Sequence, residues 1–112
     1  MNGISTQGEN IADNGGIKEA YYGYKKWVAE NGEEPLLPGL PYTQSQLFWI
    51  SSANVWCGKT RPEMLKKSML TGRHPPKRFR INGPMMNSEE FSRDFNCPLG
   101  SPMNPEDKCK VW

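Results

Sequence analysis

Residues 8–16 read Gly8-Glu9-Asn10-Ile11-Ala12-Asp13-Asn14-Gly15-Gly16. Two carboxylates four residues apart lie one turn apart on a single face if the stretch is helical. That spacing suits a division of labour at a metal ion: Glu9 offers an oxygen ligand, and Asp13 can fix a histidine that supplies nitrogen. A plainer reading stands beside it. Thr6-Gln7-Gly8-Glu9 has the form of a capping box, which predicts a helix beginning near Thr6 with Glu9 as its capping carboxylate.

Outward from this segment the chain reads as helical. After Gly15-Gly16, apolar residues fall at Ile17, Ala20, Tyr21, Tyr24, Trp27 and Val28, a helical stripe opposite Lys18, Glu19, Lys25 and Lys26. The stripe is read as core packing, and the helix is expected to stop at Asn31-Gly32. Pro35, Pro38 and Pro41 forbid regular helix between residues 33 and 42. Thr43 with Gln46 offers a second capping box, opening a helix through Leu47, Phe48, Ile50, Ala53, Val55 and Trp56. No charge occurs between Thr43 and Gly58, so this helix is expected to be buried on most sides. Pro62 suits the first turn of a third helix over residues 61–70, with Gly72 ending it. Phe79-Arg80-Ile81 reads as extended. Asn87 is placed as the cap of a short helix that turns Phe91 and Phe95 inward. The expected core is Tyr21, Tyr24, Trp27, Leu47, Phe48 and Ile50.

The chain has 112 residues, enough for one small core, and a formal net charge of +2. Such a balance gives no large field to recruit nucleic acid or an anionic membrane. The cluster Arg73, Lys77, Arg78, Arg80 is short, with only Phe79 for stacking, so no nucleic-acid partner is expected. No apolar run approaches the ~20 residues needed to cross a bilayer, and residues 1–5 lack the features of a signal peptide. Three cysteines, Cys57, Cys97 and Cys109, leave at least one without an internal partner, and their spacing fits no zinc finger.

His74 is the sole histidine, and no His-Glu-x-x-His motif occurs. One His and one Glu cannot complete a hydrolytic zinc site, which takes three protein ligands. By itself His74, between a glycine turn and two prolines, reads as a solvated loop residue. Arg80 reads equally as a surface cation beside Lys77 and Arg78, and Val55 and Trp56 as ordinary packing.

Several anchors in order carry a resemblance: Gly8-Glu9-Asn10-Ile11-Ala12-Asp13, Asn31-Gly32-Glu33-Glu34, Leu37-Pro38-Gly39-Leu40, Val55-Trp56-Cys57-Gly58, His74 with Phe79-Arg80, Phe91, Phe95 with Cys97, and Met103-Asn104-Pro105 with Cys109-Lys110-Val111-Trp112. With this pattern the chain closely resembles the neprilysin family of zinc endopeptidases over its whole length. The resemblance implies a mainly α fold: residues 1–112 as the C-terminal helical part of a thermolysin-like zinc metallopeptidase catalytic domain, with the half carrying His-Glu-x-x-His lying upstream. It implies that Glu9 is the third zinc ligand and that Asp13 orients a ligand histidine from that half. It makes His74 the group that stabilises the oxyanion formed in peptide hydrolysis, and Arg80 the grip on substrate carbonyls past the cut bond. The resemblance also implies that Val55 and Trp56 line the pocket for the hydrophobic side chain that follows it, and that Cys57, Cys97 and Cys109 carry extracellular disulfides whose partners lie upstream of Met1.

The implied activity is cleavage of short extracellular peptides on the amino side of hydrophobic residues, with one zinc per full-length chain. The 112 residues alone are expected to be inactive and to hold zinc poorly. Peptides and the N-terminal part of the same chain are the expected partners, with membrane attachment only through an upstream anchor, or secretion. The rival is a non-catalytic, extracellular binding or surface-antigen member of the family, in which this piece is an interaction module. One departure is visible: family members usually carry an aspartate two residues before the histidine, where this chain has Gly72. An aspartate there favours the protonated imidazole, whereas the neighbouring Arg73 disfavours it.

Overall fold

A computed structural model describes residues 3–111; Met1, Asn2 and Trp112, the last residue of the terminal anchor, lie outside them. The described residues form five helices: α1 (Gly3–Asn31), α2 (Gln44–Asn54), α3 (Pro62–Thr71), α4 (Lys77–Asn87) and α5 (Glu89–Asp94). Among the described residues there is no strand, only an isolated bridge between Ser101 and Asn104. The mainly α fold is therefore as expected. Helix α1 packs along α4, α4 meets α5, and α5 closes on α2.

The core sits where these helices converge. Tyr21, Trp49, Met85 and Phe91 are buried together, flanked by Ile17, Phe48, Ile81, Phe95 and Met103. Tyr21 stacks on Trp49 with ring centroids 4.9 Å apart, and Phe91 meets the indole edge-on at 5.6 Å. Both polar tips find one acceptor. The Tyr21 hydroxyl and the Trp49 Nε1–H each donate to Asp94 Oδ2 at 2.8 Å. A single carboxylate on α5 thus ties α1 to α2 through the middle of the core.

Local signals held where they were purely local. Thr43 caps α2 with both halves of the capping box formed to Gln46. Pro62 opens α3. Gly32 takes φ +87° and ends α1, where an L side chain would be strained.

Other expectations fail for tertiary reasons. Helix α1 begins at Gly3 and runs unbroken through Gly15-Gly16. Thr6 is not its cap: it is buried within the helix, its hydroxyl 3.4 Å from the Gly3 carbonyl and 3.3 Å from the Asn10 amide nitrogen. Packing on α4 compensates for the low helix propensity of the glycines. Residues 79–81 are helical rather than extended, because Ile81 and Met85 are drawn to the core one turn apart. Pro84 is accommodated inside α4. Ser88, one residue past Asn87, caps α5 by accepting the Phe91 N–H at 3.0 Å. Helix α2 stops at Asn54, before Val55 and Trp56, and only its Trp49 is buried. Lack of charge did not mean burial on most sides. Trp27, expected in the core, is 44 % exposed.

Candidate functional site

Glu9 and Asp13 share one face of α1, as their spacing requires, and α4 brings Arg80 against both. The contact is two-pronged. Arg80 Nε donates to Asp13 Oδ2 and Nη2 to Asp13 Oδ1, each at 2.7 Å. Nη2 also lies 2.7 Å from Glu9 Oε2. The planar guanidinium matches a carboxylate in this way, where a lysine could not. The Arg80 and Asp13 side chains are 13 % and 14 % exposed, so the pair is largely shielded from water. The hydrogen bond to Asp13 raises the Arg80 pKa above its ordinary value despite the opposing effect of burial.

His74 approaches from the connection between α3 and α4. Its Nδ1 is 3.2 Å from Glu9 Oε1, and the side chain is 69 % exposed. Trp56 closes the opposite side, with the Arg80 guanidinium carbon 4.0 Å from the centre of its indole. Glu9, Asp13, His74, Arg80 and Trp56, drawn from three separate parts of the chain, therefore meet. Beside them is a cleft of about 320 Å³ bordered by Asp13, Ile17, Val55, Trp56, Arg80 and Met85. Val55 stands at its rim and is 77 % exposed. Ile17 and Met85 were not singled out for the cleft. Their signal was the four-residue step from Asp13 to Ile17 and from Ile81 to Met85.

The donor set bears on a metal. Glu9 is a half-exposed carboxylate able to give one oxygen ligand. Among the described residues no group of three or more His, Cys, Asp or Glu side chains could hold a metal ion. The residues thus fit one ligand position of a larger set. Cys57 and Cys109 are exposed and Cys97 half-buried; all three are free thiols. Gly72 has a backbone reason to lack a side chain here, since a Cβ at that position would collide with the Ser68 carbonyl.

The sequence model of Peptidase family M13 matches residues 1–111. Over all 112 residues the chain is 54 % identical to Neprilysin-2 of Drosophila melanogaster, to Endothelin-converting enzyme 1 of Rattus norvegicus and to Neprilysin of Homo sapiens. It spans 14–15 % of the length of these relatives. A solved structure, the Haemonchus galactose containing glycoprotein complex, superposes with a TM-score of 0.92 at 43 % identity, covering 99 % of this chain and 19 % of that one.

Proposed function

The chain belongs to peptidase family M13, and on that premise we propose that it is the C-terminal helical part of a zinc-dependent metalloendopeptidase acting on short extracellular peptides. The observation that carries this reading is the convergence of Glu9, Asp13, His74 and Arg80 beside an apolar cleft. Glu9 would hold zinc together with two histidines from outside this chain, and Asp13 would orient one of them. Zinc bound there supplies Lewis-acid polarisation and a water of lowered pKa.

The chain's own residues supply the rest. His74 commits Nδ1 to Glu9, which leaves Nε2 for the oxygen that gains charge in the transition state. Arg80 commits Nε and Nη2 to carboxylates. Its Nη1, which hydrogen-bonds to no described residue, remains to donate to a substrate carbonyl. Val55 and Trp56 wall the cleft for a hydrophobic side chain.

No helix of the described residues is long and apolar enough to cross a membrane; the extracellular placement, surface-anchored or secreted, is part of the proposal. So are the disulfides of Cys57, Cys97 and Cys109 to upstream partners.

Metal analysis of the full-length protein tests the assignment. Glu9→Val should lose zinc and peptide hydrolysis together. Asp13→Ala should lower zinc retention ~10–100-fold while keeping the Glu9 ligand. Equal zinc occupancy in wild type and both variants counts against it. The similarity to a glycoprotein complex keeps a second reading in view, a non-catalytic extracellular member. Absence of His-Glu-x-x-His upstream would favour that one.

A further inference from the structure

A carboxylate that is to bind a metal has to be held in place, and Glu9 reaches the site on a flexible, partly exposed side chain. Among the described residues two side chains meet its carboxylate. His74 Nδ1 lies 3.2 Å from Oε1, but His74 is largely exposed on the connection between α3 and α4. Arg80 Nη2 lies 2.7 Å from Oε2, is largely shielded from water and stands within α4. Arg80 is therefore the firmer hold. A carboxylate offers about four lone-pair positions, so this bond leaves Glu9 room for a metal.

Arg80 must itself be held. Asp13 takes Nε and Nη2 on its two oxygens. Both bonds lie in the guanidinium plane, so they resist sliding more than tilting out of it. The face of the group is closed by Trp56, whose ring centre is 4.0 Å from the guanidinium carbon above it. At that distance the cation is drawn to the ring, and tilting toward it is blocked by contact. Trp56 has support of its own in the turn that closes α2. Its backbone N–H donates to the Ala53 carbonyl, and that of Cys57 to the Asn54 carbonyl, each at 3.0 Å. Val55 belongs to the same turn and borders the same cleft, but stands exposed at its rim.

We propose that Trp56 is a positioning residue for the metal ligand: by stacking on Arg80 it fixes the guanidinium that holds Glu9 beside Asp13. This rests on the zinc peptidase reading above and gives Trp56 a part beyond walling the cleft. The sign follows from charge and order together. Two carboxylates and one guanidinium leave the cluster at −1, so it still attracts a cation. Fixing Glu9 in one orientation then tightens metal binding, as partners behind a metal ligand commonly do.

Chelator competition on metal-free, full-length protein reads the zinc dissociation constant. Trp56→Leu, which keeps apolar bulk but no ring face, should raise it ~2–5-fold. Trp56→Phe should recover most of that, and Val55→Ala, which trims the same cleft, should leave it unchanged. Arg80→Gln should raise it ~10–100-fold, and adding Trp56→Leu to Arg80→Gln should change it no further. With zinc in excess these variants stay loaded, so the effect is read in the metal titration rather than in activity. Wild-type affinity in Trp56→Leu, tighter binding in Trp56→Leu or Arg80→Gln, or an equal loss in Val55→Ala overturns the inference and leaves the peptidase reading intact. An undiminished Trp56→Leu effect in the Arg80→Gln background also overturns it, because Trp56 then acts by another route. If Arg80→Gln does not fold, the Leu, Phe and Val55 comparison decides. If wild type itself binds no zinc, the peptidase reading fails and the inference falls with it.

Discussion

Arg80 grips Asp13 with two parallel hydrogen bonds of 2.7 Å across the α1–α4 contact. The two residues are 67 positions apart, and the same guanidinium also pairs with Glu9 one turn along α1. Losing Arg80 leaves the nearly buried Asp13 without its counter-ion, which in such settings costs ~3–5 kcal/mol, whereas losing Asp13 leaves Arg80 with Glu9. Asp13→Asn and Arg80→Gln should therefore be strongly non-additive in denaturant unfolding, with a coupling energy above ~1 kcal/mol. Additive effects would mean that the clamp contributes little to holding α1 on α4.

His74 and Arg80 should separate kinetically in the full-length protein. His74→Gln removes a donor to the transition state and should lower kcat by ~10²–10³ with zinc still bound. Arg80→Ala should mainly raise KM, through the lost Nη1 donor, together with a fall in stability from the lost clamp. Normal peptide binding by Arg80→Ala would return Nη1 to a purely structural part.

Asp94 offers a test of the core at a residue that does not touch the site. Asp94→Ala strands the Tyr21 hydroxyl and the Trp49 indole N–H, and Trp49 is 1 % exposed. Unfolding free energy should drop by about 2–4 kcal/mol, and Asp94→Asn should recover part of it by keeping one acceptor oxygen. An Ala variant as stable as wild type would show that water replaces the carboxylate.

Glu90 gives a pH dependence with a definite sign. Burial alone pushes its carboxyl up. The bonds it accepts outweigh that: from its own backbone amide, from the Tyr22 hydroxyl at 2.9 Å and from Ser88 Oγ at 3.0 Å. Its folded pKa therefore lies below the unfolded value of ~4.3. The stability it contributes is fully present above that value and is lost as pH falls through the folded pKa. Melting temperatures of wild type and Glu90→Gln should differ near neutrality and converge in acid. A gap that persists unchanged to pH 2 would exclude this linkage.

The sequence was most legible where chemistry is local. The Thr43–Gln46 box, Pro62 at a helix start and Gly32 at a helix end each depend on neighbours within four residues. The Glu9–Asp13 spacing placed both carboxylates on one face for the same reason. Arg80 was singled out, but not its pairing with Asp13, since nothing short-range links residues so far apart. Helix α4 was missed because Gly83-Pro84 and a basic first turn argue locally against a helix, and only contact with α1 reverses that. Thr6 misled in the opposite sense: a capping pattern proved to be a buried mid-helix residue. Trp49, the centre of the core, was passed over because α2 shows no clean apolar stripe.

Helix α1 joins the core to the site as one rigid piece, and this makes it a lever. Tyr21 is its fulcrum, and Glu9 lies twelve residues away, ~18 Å along the axis. A tilt of only about 5° about the fulcrum would carry Glu9 sideways by ~1.5 Å over that length, several times the ~0.2 Å within which metal–ligand distances are held. Repacking around Trp49 is thus felt at Glu9 with gain rather than loss, and the Arg80 clamp at the far end is the brake that holds the tip still.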